Sequence, residues 1–316
     1  MLDVHQKRLN NMVLKSGENK LTFIVNTMIS IGLENKGASF ALHKLAYEIA
    51  LAGHYVYVFN EPKYPHENIE VIPTIITESF DHGWRNNFSW ERFNFNLGNT
   101  ISIFSQATYG NPFNTIHNVR WVLHDYSQEQ WNTFDSNDVI FNYGTFKVPE
   151  GTTQLPLTVF DYNFNKFYNT HNPNRKGFGH IIHKNTPDWG LEFLDNLCST
   201  EIPHYNGKKD INYLLDEFNK YEYVLTFDDK SYYTTAAALC GTKGIILNPN
   251  KDITPFEYRI QNPIQMCGVA YGMNDIKWAE QTIGLVKDNL LQLEQRDNKT
   301  IDGFIKYWGN KILKNE

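Results

Sequence analysis

Apolar residues fall into two rhythms along this chain. Dense short runs come first: LTFIV at residues 21–25, YVYVF after His54, then VIPTII, ISIF, RWVLH and DVIFNYG within residues 70–150. Such unbroken apolar content belongs to strands buried on both faces of a parallel sheet. Between the first two runs, Leu42, Leu45, Ala46, Ile49 and Ala52 recur at helical spacing, with Ser39 as the expected N-cap and Gly53 as the C-terminal stop. Strand, glycine-bearing loop, helix and strand make a βαβ unit, whose loop lies at the carboxyl edge of the sheet, where open α/β folds bind ligands. Gly37 lets backbone approach a ligand there, while Ser39 and the amides of the first helical turn suit phosphate or carboxylate. A plain capped turn is the competing reading. Residues 120–123 are expected to enter the sheet, leaving His124 and Asp125 at its end, rigid but accessible. The YSQEQW stretch beyond them reads as a surface helix or loop.

A second series follows. LTVF at residues 157–160 reads as a strand, and DYNFNKFYNTHNPNRKG, with Pro173 and Gly177, as a linker. The expected boundary is near Asn172, giving domains 1–171 and 172–299 and a terminal helix over 300–316 that packs back toward the first. FGHIIHKN opens the new series. Lys184 precedes the helix-start pair Thr186 and Pro187, a place to meet an anion between domains. His180 and His183 fall on opposite faces of a strand, so packing is favoured over metal ligation, and no metal ligand is assigned.

Ile211, Leu214, Leu215 and Phe218 form a helical stripe, followed by the strand YVLTF, the turn DDKS, a helix from about Tyr232 to Cys240 and the strand GIILN. This is a second βαβ unit, with Thr226 and Asp228 at the strand exit and Ser231, Tyr232 and Thr234 at the helix entrance. Hydroxyls and free amides at a helix start suit a diphosphate. Asp228 can shape the turn or accept a sugar hydroxyl, with Lys230 offsetting its charge; simple turn-shaping and capping is the alternative. DIKWAEQTIGLVKDNLLQL is expected to be one long packing helix and IDGFIKYWGNKIL another. Lys306, Lys311 and Lys314 near Trp308 permit a membrane-surface role for the last segment, but its shortness and Gly309 favour packing.

Composition narrows the picture. The chain has 316 residues, 41% hydrophobic, with 29 Lys plus Arg against 35 Asp plus Glu, a formal charge of -6. Mean hydropathy is -0.48. These values describe a globular chain with no overall charge bias toward nucleic acid or anionic membrane. Cys198, Cys240 and Cys267 are too few and too scattered for a disulfide framework or a zinc cluster, which suggests a reducing compartment. No stretch reads as a signal peptide or a bilayer span, so a cytoplasmic protein is expected, with peripheral attachment to a membrane surface left open by its 15% aromatic content. A nicotinamide fingerprint, a P-loop and a serine-hydrolase elbow are all absent.

YVLTFDDKSYYTTAAALCGTKGIILNP resembles the donor-binding half of GT-B nucleotide-sugar glycosyltransferases, and GASFALHKLAYEIALAGHYVYVF extends the likeness to the N-terminal half. TPFEYRIQNPIQMCGVAYG with DIKWAEQT is similar to bacterial and viral polysaccharide-type transferases. The resemblance implies an α/β protein of GT-B architecture, two facing Rossmann-like domains, moving a sugar from a nucleotide-sugar donor to a saccharide or glycoconjugate hydroxyl. It implies a donor as substrate, no separate cofactor and no required metal. Its donor-site candidates are Lys184, Thr226, Asp228, Ser231, Tyr232 and Thr234, with Gly37 and Ser39 organising the reacting face. Tyr258 and Arg259, in an expected loop, orient donor or acceptor, or else pack and pair. If the reaction inverts the anomeric carbon, His124 or Asp125 is the candidate base. Ala236 stands where retaining members carry an acidic residue. That departure keeps a noncatalytic nucleotide-sugar or glycan-binding protein as the alternative.

Overall fold

A computed structural model describes residues 20–26, 37–59, 75–78, 97–108, 110–111, 113–124, 126–144, 146–159, 166–182, 186–203, 211–247 and 252–314. The chain divides into two units, residues 1–161 with 296–316 and residues 162–295. The first division therefore falls ahead of Asn172, the expected boundary.

The first unit is built on strands β1 (Thr22–Asn26), β2 (Tyr55–Phe59), β3 (Ile75–Glu78), β4 (Thr100–Ser105), β5 (His117–Val122), β6 (Val139–Asn142) and β7 (Gln154–Pro156), with helices α1 (Gly37–Leu51) and α2 (Gln128–Trp131). All strand pairs are parallel, in the order β3-β2-β1-β4-β5-β6-β7. The first six follow the 3-2-1-4-5-6 order of a doubly wound Rossmann-like sheet. Leu42, Leu45, Ala46 and Ile49 of α1 are fully buried in one cluster with Phe23, Val25, Val56, Ile103 and Trp121. Gly53 has φ 93°, the left-handed conformation that lets the chain leave α1 and enter β2.

Two expectations fail here for local reasons. The helix begins at Gly37, so Ser39 occupies its first turn and is not the N-cap. The described part of LTVF, residues 157–159, is not a strand: the paired register ends at Pro156, opposite Asn142. Beyond it, Leu157 and Val159 are fully buried, and the Thr158 amide donates to Thr300 Oγ1 at 3.1 Å. Apolar density at residues 157 and 159 thus reflects burial among other core residues, with the Leu157 amide still donating to the Asn142 carbonyl at 3.0 Å.

The second unit contains β8 (Phe178–Ile181), α3 (Asp188–Asn196), β9 (Thr200–Glu201), α4 (Ile211–Phe218), β10 (Tyr223–Thr226), α5 (Tyr232–Leu239), β11 (Lys243–Ile246), α6 (Pro255–Gln261), β12 (Val269–Tyr271) and α7 (Ile276–Thr282). Its sheet is parallel throughout, in the order β12-β11-β10-β8-β9. Counted within the unit this is 5-4-3-1-2, the flavodoxin-like order read from the other edge. Leu194, Leu225, Phe227, Ile245, Ala270 and Ala279 form a core cluster.

The expected long helix from residue 276 is broken by a 3-10 turn, Ile283–Leu285, and α8 (Val286–Trp308) then runs on through IDGFIKYW. Leu290, Asp297, Ile301, Phe304 and Trp308 are buried at helical spacing along it, so one continuous stripe replaces the two expected helices. Its last turns belong to the first unit, where Phe304 packs on Phe23 and Phe141 at centroid distances of 6.0 and 4.9 Å. Tyr258 and Arg259 lie in α6 and not in a loop. Thr254 caps that helix with Glu257 in a capping box, and Pro255 fills its first position.

Candidate functional site at the carboxyl edge of the second sheet

In the second unit the chain leaves β8 on one side and β10 on the other, and these neighbouring strands mark where the strand order reverses. Open α/β sheets bind ligands outside the carboxyl ends of the strands at such a point. The turn that follows β10 is held by its own polar groups. Thr226 Oγ1 accepts from the Asp228 amide at 3.1 Å, and Asp228 Oδ1 accepts from the Lys230 amide at 3.0 Å. The Asp228 carbonyl accepts from the Ser231 amide at 3.3 Å. Ser231 then caps α5 by accepting from the Tyr233 amide.

A buried bracket supports this turn from below. Gln265 Nε2 donates to the Ser231 carbonyl at 3.0 Å and to Thr234 Oγ1 at 2.8 Å, while the Thr234 hydroxyl itself donates to the Ser231 carbonyl at 2.9 Å. The Tyr258 hydroxyl lies against the Gln265 amide oxygen and the Asp229 carbonyl. Its ring stacks on Tyr271 at 4.0 Å and 11°. Burial, reinforced by Asp229, Tyr271 and Asp228, raises the Tyr258 phenol well above its ordinary pKa, so it stays protonated. Tyr258 therefore positions the turn. Arg259 pairs with Asp275, whose carboxylate also accepts from the Tyr271 amide at 2.9 Å, and its guanidinium lies 4.2 Å over the Trp278 ring.

Thr226, Asp228, Ser231, Tyr232, Thr234, Tyr258 and Arg259 are thus brought into one region. Thr234 is fully buried, and Ser231 and Thr226 nearly so. Tyr232 packs edge-on against Phe167 at 6.1 Å. Ala236 is fully buried, as are its α5 neighbours Thr235 and Ala237 in all but the last per cent. Lys184 and Asp125 lie outside the described residues.

Gly37, Ser39 and His124 belong to the first unit. His124 is exposed just beyond β5, with its ring stacked on Phe146 at 6.0 Å. The ring of Tyr143, which follows β6, lies 6.5 Å from that of Phe146. Burial, and then the Asp297 carboxylate, raises the Tyr143 phenol, with Arg296 opposing. A cavity of about 430 Å³ in this unit is lined by Phe141, Leu155, Pro156, Arg296, Lys299, Thr300, Gly303, Phe304 and Tyr307. None of these is a residue singled out from the sequence.

Sequence reasoning missed Gln265 and Trp189. Gln265 carried no local signal, since its role depends on a return of the chain. Trp189 did carry one, standing just after the Thr186 and Pro187 helix start. This residue is 53% exposed in the first turn of α3, and its ring meets Phe227 at 5.3 Å and 84°. Phe227 can lie that close because the next residue is Gly190: a Cβ there would come within 2.5 Å of the Phe227 ring. His180 donates to or accepts from Ser199 Oγ at 2.8 Å, and among the described residues no three His, Cys, Asp or Glu side chains gather as a metal site would require.

No protein-family model matches the chain. No curated protein matches it. Among solved structures it aligns with the glycosyltransferase SnogD from Streptomyces nogalater at 9% identity and a TM-score of 0.38, covering 92% of this chain and 100% of that one. A likeness this low carries no weight for the fold, which rests on the two parallel strand orders. Among the described residues no helix is long and apolar enough to cross a membrane.

Proposed function

We propose that the protein is a GT-B-type glycosyltransferase whose second unit holds a nucleotide-sugar donor and whose first unit receives a saccharide or glycoconjugate acceptor. The observation that supports this most is the organised polar turn from Thr226 to Ser231 at the β8/β10 reversal point. It coincides with the segment whose sequence resembles a donor-binding half. In this reading the acceptor hydroxyl attacks the anomeric carbon, the bond to the diphosphate breaks, and the leaving diphosphate is stabilised by Lys184 and by backbone amides at the α5 entrance. If the anomeric carbon is inverted, the acceptor proton passes to His124 or Asp125. Asp228 accepts a donor hydroxyl, and Ser231, Thr234, Tyr232, Tyr258 and Arg259 hold the turn and its surroundings in place. Gly37 and Ser39 serve the reacting face at the start of α1.

The test is incubation of purified protein with UDP-, GDP-, ADP-, CMP- and dTDP-sugars and acceptors, with and without a chelator, detecting released nucleotide and product mass. Lys184→Ala and Asp228→Asn are expected to weaken donor binding while leaving the urea midpoint unchanged. Donor binding without transfer or hydrolysis across the panel would favour the noncatalytic alternative that Ala236 raises. Unchanged donor affinity in both folded variants would remove the site assignment.

A further inference from the structure

We infer that the cavity between α8 and the edge strand β7 of the first unit binds one anionic single-chain amphiphile, a hydrocarbon tail carrying a phosphate head. The inference stands apart from the donor reading and shares no residue with the site in the second unit. Three observations converge on it. The first is a gradient along one helix face. Arg296, Lys299, Thr300, Gly303, Phe304 and Tyr307 line the cavity, and their spacing puts them on one side of α8 over roughly 16 Å. Cations stand at its start, small residues in its middle and aromatic rings at its end. The polar groups of the middle and the end are already engaged. The Thr300 hydroxyl donates to the Thr158 carbonyl at 2.8 Å and accepts from its amide at 3.1 Å, and the Tyr307 hydroxyl accepts from Lys311 Nζ at 3.3 Å.

The second observation is the space itself. At about 430 Å³ the cavity is of ligand size. Phe141 and Phe304 are each 1% exposed, and their rings meet at 4.9 Å and 69°, a fixed apolar lining that Leu155 and Pro156 of β7 continue. Gly303 keeps the space open. A Cβ there would meet nothing within 4 Å, so no close packing calls for glycine inside a helix that glycine weakens. Charge is the third. Both charged lining residues are cations, in a chain whose formal charge is -6. Lys299 is exposed and makes no ion pair among the described residues, while Arg296 meets Asp297 at 3.3 Å. Two cations one turn apart suit the double charge of an alkyl phosphate. A bilayer would instead be met by a face of exposed apolar side chains, whereas the lining rings here are buried or half-buried.

The experiment is calorimetric titration of the full chain with decyl phosphate below its micelle concentration, with decanol and with inorganic phosphate, alongside co-sedimentation with phosphatidylglycerol vesicles. The wild type should bind one decyl phosphate per chain, at least about tenfold more tightly than decanol or inorganic phosphate. Gly303→Leu, whose side chain enters the cavity, should lose at least about tenfold in affinity for decyl phosphate with a urea midpoint no lower than wild type. The double variant Arg296→Gln with Lys299→Gln should bind decyl phosphate no better than decanol and leave decanol binding unchanged. This pair leaves the core alone and decides the matter even if Gly303→Leu lowers the midpoint. Absence of decyl phosphate binding, several molecules bound per chain, or equal affinity in wild type and the double variant would overturn the site. Inorganic phosphate binding as tightly as decyl phosphate would overturn the role of the tail. Vesicle binding without uptake of single molecules would overturn the cavity in favour of a membrane-facing surface. The donor reading is tested with other ligands and survives each of these outcomes.

Discussion

Acidification should destabilise the first unit through His54. This imidazole is buried between α1 and β2, and its Nδ1 accepts a hydrogen bond from the Leu21 amide at 3.2 Å. Only the unprotonated nitrogen can accept. Burial, and secondarily the Lys20 charge, lowers the pKa from 6.5 to about 4. Between those two values the unfolded chain binds a proton that the folded one does not, so stability rises with pH. The contribution is fully present above about pH 6.5 and is lost as the pH falls toward 4. A difference of this size corresponds to roughly 3 kcal/mol, at about 1.4 kcal/mol for each unit of pKa. Urea unfolding at intervals from pH 7.5 to 4.5 should show the wild type losing stability faster than His54→Gln, which keeps an acceptor for Leu21 but does not titrate. An NMR titration of the His54 ring should place its midpoint well below 6. Parallel pH profiles for the two proteins, or a midpoint near 6.5, would refute the reasoning.

Other positions give independent checks. Arg120 is fully buried, pairs with Asp138 at 2.6 Å, donates to the Thr108 carbonyl at 2.8 Å and lies between the Phe104 and Phe134 rings. Arg120→Met leaves Asp138 charged and unpaired, and about 3–5 kcal/mol of stability should be lost in urea titration. Asp138→Asn should cost less, because the guanidinium keeps its carbonyl acceptors. Tyr258→Phe removes the hydroxyl between Asp229 and Gln265, and about 1–3 kcal/mol should be lost, with donor affinity falling in proportion to the loosened turn. In the folded protein an uncharged thiol reagent should modify exposed Cys198 quickly and Cys240 last. Burial pushes the Cys240 thiol up to about 12, and mass spectrometry of the first adduct decides the order.

Much of the architecture was legible because buried parallel strands are dense in apolar residues. YVYVF, ISIF, DVIFNYG, FGHIIHKN, YVLTF and GIILN each overlap an observed strand. The same signal misled at LTVF, where residues 157 and 159 are buried outside any strand: burial and strand pairing leave the same apolar trace. At α6 the sequence itself carries the signal, since Thr254, Pro255 and Glu257 spell a capped helix start. Boundaries between adjacent helices were obscure near residue 283 because the apolar spacing continues through the break. Strand order cannot be read from one chain, so the reversal between β8 and β10, and with it the meeting of Trp189 with Phe227, became visible only in three dimensions. Gln265 was invisible for the same reason: the acceptors of its Nε2, on Ser231 and Thr234, lie some thirty residues earlier.

The closing turns of α8 have a consequence for synthesis on the ribosome. Ile301, Phe304 and Trp308 sit in the same cluster as Phe23, Val25 and Ile49, yet they emerge after the whole of residues 162–295 has been made. At ordinary translation speeds the delay is on the order of ten seconds. During that interval the N-terminal sheet waits with only α1, and not α8, packed on that face, while the intervening continuous unit can already fold. The order of birth and the order of completion are therefore opposite for the two halves, and a nascent chain stalled before residue 296 should be captured by holdase chaperones through its oldest segment.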